Sequence, residues 1–94
     1  MRKYELLYVL NPQLGAEGLT EMNEKIQNMV KEAAQNVEVD DWGIRQLAYE
    51  IEDQREGNYV IVQFESDAEF PSELERVLRI NDKVLRFLVT RVDA

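Results

Sequence analysis

The chain of 94 residues contains no cysteine and no histidine, carries a formal net charge of −8 and has a sequence pI near 4.5. This composition excludes a disulfide framework and a thiolate metal site, and it removes the side chain most often used for acid–base chemistry near neutral pH. The acidic balance also argues against delocalised binding to polyanions, so we expect one domain over 1–94, in a reducing cytoplasmic setting, whose contacts with nucleic acid are local.

The first half of the chain predicts a strand, a helix and a second strand. Apolar and polar residues alternate over 2–10, which predicts a strand that ends before Pro12. From about 16 to 35 apolar residues recur at helical spacing, which predicts one amphipathic helix. Alternation resumes from 37 to 51, where Gly43 is expected to mark a bulge or bend.

The second half predicts a strand, a helix and a final strand. The stretch EDQREGN, 52–58, is expected to reverse the chain as a loop, and alternation then predicts a third strand over 58–65. The stretch FPSELERVLRIN, 70–81, has a proline near its start, acids early and arginines late, as expected of a short helix that stops at Asn81. The last strand is predicted over 84–92.

The order strand, helix, strand, strand, helix, strand predicts an α+β fold, the ferredoxin-like split βαβ arrangement. Right-handed crossovers place both helices on one face of a four-stranded antiparallel sheet. The residues expected to pack between sheet and helices are Tyr4, Leu6, Tyr8, Val60, Val62, Phe64, Phe87 and Val89 on the strands and Leu19, Met22, Ile26, Val30, Leu74, Val77 and Leu78 on the helices. Trp42 is expected to be core rather than interface, because large aromatic side chains bury much apolar area.

The sheet face without helices is predicted to carry an apolar patch. Its expected members are Leu7, Val9, Tyr59, Ile61, Leu88 and Thr90, bordered by Lys3, Glu5, Gln63 and Arg86. A contiguous exposed patch of this kind tends to mark an interaction surface. The alternative is that small proteins commonly expose a few aliphatic side chains without any function.

Charge is divided unevenly along the chain. Residues 50–75 are strongly acidic, whereas basic residues gather from 76 to 91. In the predicted topology the last strand lies beside the first, which brings Arg91 close to Arg2 and Lys3, and the basic residues then follow roughly 24 Å of an edge strand. That length spans several phosphates of a nucleic acid, although edge strands also carry Lys and Arg simply to prevent aggregation, and charge by itself favours this second reading.

Catalytic, metal-binding and membrane-spanning roles find no support in the sequence. Ser66, Ser72, Thr20 and Thr90 lie in no nucleophile motif, and the loop NPQLGAEG lacks both phosphate-binding glycine patterns. Asp40 and Asp41 are adjacent strand residues that point to opposite faces, which spoils a shared metal site. The apolar runs are far shorter than the roughly 20 residues that cross a bilayer, and no cleavable leader is indicated. We expect a soluble, unprocessed protein.

An RNA-recognition motif shares this topology. Its third strand stacks bases on aromatic side chains, but here EGNYVIVQF has Glu56 where a basic residue belongs, and Asn58 and Ile61 replace two aromatics. Stacking of bases on the open face is therefore not expected, and the patch suits a protein partner better.

Four segments together resemble the bacterial small-ribosomal-subunit protein six family. They are MRKYELLYVLNP, DWGIRQLAYEI, REGNYVIVQF and LERVLRINDKVLRFLVTR, and they cover nearly the whole chain in register. The resemblance implies a structural ribosomal protein, without enzymatic activity or cofactor, that binds the central domain of small-subunit ribosomal RNA together with small-subunit protein eighteen. It also implies a cytoplasmic, ribosome-bound protein that is monomeric when isolated.

The resemblance assigns candidate residues to each partner. The residues implied to contact RNA are Arg2, Lys3, Arg45, Arg79, Lys83, Arg86 and Arg91. The open-face patch is assigned to protein eighteen. Gln46 stands where relatives often carry a second basic residue, which weakens RNA contact there, and the sequence stops at Ala94 where many relatives continue into a charged tail, so no tail contribution is expected.

The competing hypothesis is a ferredoxin-like interaction or ligand-sensing module. Such a protein uses the same open sheet face for self-association or for a small metabolite. A tight homodimer in gel filtration would favour this alternative, whereas a monomer would favour a protein that awaits a different partner.

Overall fold

The fold was analysed in a computed structural model that describes residues 1–51 and 54–92. Strands and helices follow one another as β1 (Arg2–Leu10), α1 (Gly15–Ala33), β2 (Gln35–Ile51), β3 (Gln54–Ser66), α2 (Phe70–Arg79) and β4 (Val84–Arg91), with a short 3-10 helix at Pro12–Leu14 before α1. The four strands form one antiparallel sheet in the order β2-β3-β1-β4. The predicted fold class is therefore confirmed, and β4 lies beside β1 at an edge, as expected.

Local sequence signals set the helix boundaries. The side chain of Asn11 accepts a hydrogen bond from the Gln13 amide at 2.9 Å and so caps the 3-10 helix, whose first residue is Pro12. Before α2, the Asp67 carboxylate accepts hydrogen bonds from the amides of Glu69 and Phe70 at 3.0 and 2.9 Å. These bonds satisfy amides that have no partner within the helix, and α1 and α2 both end within two residues of the predicted positions.

The core lies between the helices and one sheet face, and most of its predicted members are buried there, while Leu19, Phe87 and Val89 are half-buried and pack against it. The buried apolar residues of this cluster are Tyr4, Leu6, Tyr8, Leu10, Met22, Ile26, Val30, Val60, Val62, Phe64, Leu74 and Leu78. Leu10 joins them, whereas Val77 is only half-buried and lies outside this cluster. Tyr4 stacks on Phe64 with ring centroids 5.7 Å apart, and Phe70 meets Phe64 edge-on at 5.6 Å.

The hairpin between β2 and β3 is longer than predicted. The expected loop over 52–58 is wrong from Gln54 onward, because pairs such as Arg45–Gly57, Gln46–Glu56 and Ile51–Gln54 continue the ladder. Backbone pairing does not require apolar side chains, so a polar strand in a two-stranded extension is easily misread as a loop. Residues 52 and 53, with the end of the chain at 93–94, lie outside the described residues.

The bulge predicted at Gly43 is confirmed. The register of the β2–β3 ladder shifts between Asp41 and Gly43, and Gly43 has φ +74°, a conformation that residues with a β carbon rarely adopt. No helix in the described part of the chain is long and apolar enough to cross a membrane.

Candidate functional site

The open sheet face is built from rows of side chains that cross the strands. Residues paired in antiparallel strands point to the same face. One row runs Asp40–Ile61–Leu7–Leu88, from β2 through β3 and β1 to β4. The next row toward the start of β1 is Glu38–Gln63–Glu5–Thr90, and the next in the other direction is Gly43–Tyr59–Val9–Arg86. The face therefore has an apolar centre between a polar row and a mixed row.

Most of the predicted patch is accessible, but Val9 is not. Leu7, Tyr59 and Ile61 are half-buried, and Leu88 is 49% exposed. Thr90 is exposed as well. Val9 retains only 1% exposure, which corrects the expectation that it faces a partner.

The chain itself covers Val9 through Gly57. A β carbon built on Gly57 would lie 2.2 Å from Val9 Cγ1 and 3.3 Å from Leu47 Cδ2, so both side chains fill the space over the glycine. Val9 and Gly57 are far apart in sequence, and their contact depends on the close approach that only glycine permits.

The same hairpin reaches the far edge of the sheet. Tyr49, on β2, accepts a hydrogen bond from Arg86 Nη1 at 3.2 Å, although β2 and β4 are opposite edge strands. The β2–β3 extension must therefore bend over the open face at this end. The uncovered part of the face is the region around Leu7, Ile61 and Leu88.

Five of the seven predicted RNA contacts lie on β4, on the loop before it or on the strand beside it. Arg91 pairs with Tyr4, and the Val92 amide donates to the Lys3 carbonyl at 2.9 Å, so Arg2, Lys3 and Arg91 lie at one end of the edge. At the other end the Lys83 carbonyl accepts from the Asn11 amide at 3.2 Å, and Arg86 lies between. We call Arg2, Lys3, Lys83, Arg86 and Arg91 the basic border. All five are exposed.

The other two predicted RNA contacts lie elsewhere. Arg79 is in the last turn of α2 and approaches the Glu75 carboxylate at 3.7 Å on an exposed surface. Arg45 is on β2, at the opposite edge of the sheet, where its Nε donates to the Trp42 carbonyl at 3.0 Å. Arg45 therefore does not extend the basic border.

Trp42 is on the surface, and the expectation that it joins the core is wrong. It is 47% exposed, and its indole nitrogen donates to Asp40 Oδ2 at 2.9 Å. With Arg45, Gln46 and Tyr59 it lines a shallow cleft of about 470 Å³. The bulge at Gly43 interrupts the alternation of β2, and this turns Trp42 away from the core; the signal in the sequence was the glycine beside it.

A chain of polar groups through the core supports this bulge. Asp41 Oδ1 accepts from the Gly43 amide at 2.8 Å and from Asn58 Nδ2 at 3.0 Å. Asn58 is only 4% exposed, and its Oδ1 accepts from Asn23 Nδ2 at 3.0 Å. The network thus ties α1 to the bulge through β3.

Tyr8 is the buried end of this network. Its hydroxyl donates to Asn23 Oδ1 at 2.6 Å and accepts from Gln27 Nε2 at 3.3 Å. Burial raises the pKa of the Tyr8 phenol to about 12, since the charged phenolate is poorly solvated there. The phenol is therefore neutral at physiological pH and acts as a hydrogen-bond donor.

No chemistry beyond binding is indicated by these groups. Within 1–51 and 54–92, no three acidic side chains are grouped closely enough to hold a metal ion. The cleft beside Trp42 is shallow and holds no nucleophile. The described residues instead form an apolar face and a basic border, which suit the binding of partners.

The comparisons with known proteins identify the family. A family model described as ribosomal protein S6 matches residues 3–91. The chain belongs to the ribosomal protein S6 family. It is 47% identical to small ribosomal subunit protein bS6 of Clostridium acetobutylicum over 94 residues, covering 99% of each chain. It is 43% identical to the bS6 protein of Moorella thermoacetica, covering 99% of this chain and 96% of that one.

A solved structure of the ribosomal protein S6 family has the same fold. The crystal structure of 30S ribosomal protein S6 from Thermotoga maritima superposes with a TM-score of 0.87 at 26% identity, covering 97% of this chain and 87% of that chain. The resemblance inferred from the sequence is thereby confirmed. The protein is a structural component of the small ribosomal subunit and not an enzyme.

Proposed function

We propose that this protein binds the central domain of small-subunit ribosomal RNA together with small-subunit protein eighteen, as a single-domain, cytoplasmic component of the ribosome that is monomeric before assembly. One observation carries the proposal: both helices cover one sheet face, so the opposite face keeps an apolar centre directly beside an exposed basic border. Two partners of different chemistry can then be held at once.

The basic border is assigned to RNA phosphates. The spacing of strand residues puts Lys83 and Arg91 roughly 24 Å apart or more, enough to follow several phosphates along a backbone. Basic side chains of this kind position a complex but do not read sequence by themselves. Arg79, at the end of α2, extends the border at the end where Lys83 lies. Arg45 lies on β2, so it would contact RNA only if the RNA also reached that edge of the sheet.

The apolar centre is assigned to protein eighteen. The four strands are about 14 Å across, and the uncovered rows extend about 20 Å along them, so the face offers only a few hundred Å². A stable interface takes about 800 Å² from each partner. A complex through this face is therefore weak by itself and is strengthened by the RNA, which predicts cooperative assembly.

A binding titration tests the proposal. A fragment of the central domain is titrated with this protein, with protein eighteen and with both, at physiological salt. We expect little binding by this protein by itself, because its charge of −8 opposes RNA, and much tighter binding when both proteins are present. Tight RNA binding without protein eighteen, or no gain on adding it, contradicts the proposal.

A further inference from the structure

The polar row beside the apolar centre is negatively charged, in contrast to the basic border along the sheet edge. Glu5 pairs with Gln63, and Gln63 pairs with Glu38, so two carboxylates flank one amide across three strands. Gln63 Nε2 donates to Glu5 Oε2 at 3.2 Å. The two glutamates are about 10 Å apart between backbones, on the same face. We call Glu5, Gln63 and Glu38 the acidic row.

The acidic row lies one step from the accessible apolar side chains. Glu5 is two positions from Leu7 along β1, and Gln63 is two positions from Ile61 along β3, a distance of about 7 Å in each case. Asp40 adds a third carboxylate at the β2 end of the apolar row itself. The three rows of the open face thus carry three carboxylates, on Glu5, Glu38 and Asp40, and one cationic side chain, Arg86.

This charge pattern discriminates among possible occupants. Nucleic acid is disfavoured, because its phosphates would approach three carboxylates beside an apolar surface that offers them no donors. A second copy of this chain is disfavoured too, since it would present the same acidic row to a face that already carries one. A basic protein surface is attracted, and it can bury its apolar side chains on Leu7, Ile61 and Leu88.

We infer that the acidic row selects and orients the protein partner, which docks on the open face with cationic side chains set about 7 Å from its apolar ones. The inference rests on the proposed function, in which that partner is protein eighteen. The acidic row thus takes the partner's positive charge and keeps RNA away from the face, while the basic border contacts phosphates. The acidic row on the open face and the basic border along the sheet edge are thereby assigned to different partners.

A charge-neutralising pair with a matched control tests the inference. E5Q/E38Q removes both charges but keeps the size of the side chains and an oxygen that can accept from Gln63. E17Q/E21Q makes the same change in net charge on exposed residues of α1, away from the open face. The single tryptophan, Trp42, lies half-exposed beside Tyr59 and reports docking through its fluorescence.

Protein eighteen is titrated into each variant without RNA over a series of salt concentrations. We expect E5Q/E38Q to bind about three- to tenfold more weakly than the unsubstituted chain and with a flatter dependence on salt, because two exposed charge pairs are lost. We expect E17Q/E21Q to bind within about twofold of the unsubstituted chain.

The outcomes separate this inference from the function it rests on. If E5Q/E38Q and E17Q/E21Q bind protein eighteen equally well and with the same salt dependence, the acidic row does not orient the partner and the inference is overturned. If E5Q/E38Q gains more affinity for the RNA fragment than E17Q/E21Q does, in the absence of protein eighteen, the acidic row keeps RNA from the face, as inferred. If the two variants bind the RNA fragment equally, that part of the inference is overturned. If even the unsubstituted chain fails to bind protein eighteen, with or without RNA, the proposed function fails and takes the inference with it.

Discussion

Replacing Gly57 by alanine tests how the hairpin closes over the open face. The added methyl would lie 2.2 Å from Val9 Cγ1, far inside van der Waals contact, and Val9 is itself fully buried. Overpacking of a filled site costs about 1–3 kcal/mol. An alanine also restricts the unfolded chain, which favours folding by about 0.4–1 kcal/mol. The clash is the larger effect, so we expect G57A to lower the free energy of unfolding by about 1–2 kcal/mol.

A second substitution makes this expectation specific. V9A removes the methyl groups that the new β carbon would meet, at a cost of its own from the lost burial. The double variant G57A/V9A should therefore be more stable than the sum of the two single effects predicts, by about 0.5 kcal/mol or more. Urea unfolding followed by Trp42 fluorescence measures all four proteins. Additive effects, or a G57A protein as stable as the unsubstituted chain, would refute the contact between Gly57 and Val9.

Three further predictions concern the basic border and the polar network. R86E should weaken the complex with RNA and protein eighteen, since a phosphate contact becomes a repulsion. It should lower the melting temperature by no more than a few degrees, because the hydrogen bond from Arg86 to Tyr49 is exposed. R76E on α2 is the control, and a large drop in melting temperature for R86E would assign Arg86 to the fold. N58A should cost about 2–4 kcal/mol in urea unfolding, because it leaves the partners of a buried amide unsatisfied, and a loss below about 0.5 kcal/mol would contradict the network. Burial raises the pKa of Tyr8 from 10.0 to about 12, so the unfolded chain loses the phenol proton at a lower pH than the folded chain does. The contribution of Tyr8 to the free energy of unfolding should therefore be intact below pH 10 and fall by up to about 2–3 kcal/mol between pH 10 and 12. Y8F should lack this loss, and identical pH profiles of stability for the two proteins would show that Tyr8 is not buried in this way.

The sequence was sufficient for the architecture because alternation and helical spacing are local signals. The apolar residues that recur at every second position of β1 and β3 lie in the core, namely Tyr4, Leu6, Tyr8 and Leu10 on β1 and Val60, Val62 and Phe64 on β3. The topology that follows from the order of elements places β4 beside β1. The basic border could be predicted for the same reason. It required only the fold class and the positions of Lys83, Arg86 and Arg91 on the last strand or just before it.

The predictions for Trp42 and Val9 were wrong because a bulge or a hairpin contact changed which side chains are exposed. The bulge at Gly43 was expected, but its effect on Trp42 was not, because an inserted residue breaks the alternation from which burial is inferred. Val9 was assigned to the open surface because nothing in its neighbourhood indicates that the hairpin packs against it at Gly57. The contact of Tyr49 with Arg86 joins residues that are 37 positions apart, and it depends on how the hairpin bends.

The central claim is that the two faces of the sheet have different tasks, and methyl NMR with stepwise addition of partners tests it most directly. Adding protein eighteen should shift the methyl signals of Leu7, Ile61 and Leu88 and leave those of Ile26 and Leu74 unchanged, since the latter are buried under the helices. Adding RNA afterwards should perturb the backbone amide signals of the basic border, recorded on the same samples, and leave the open-face methyl signals as they were. Shifts confined to the helical side, or open-face shifts caused by RNA without protein eighteen, would contradict the account.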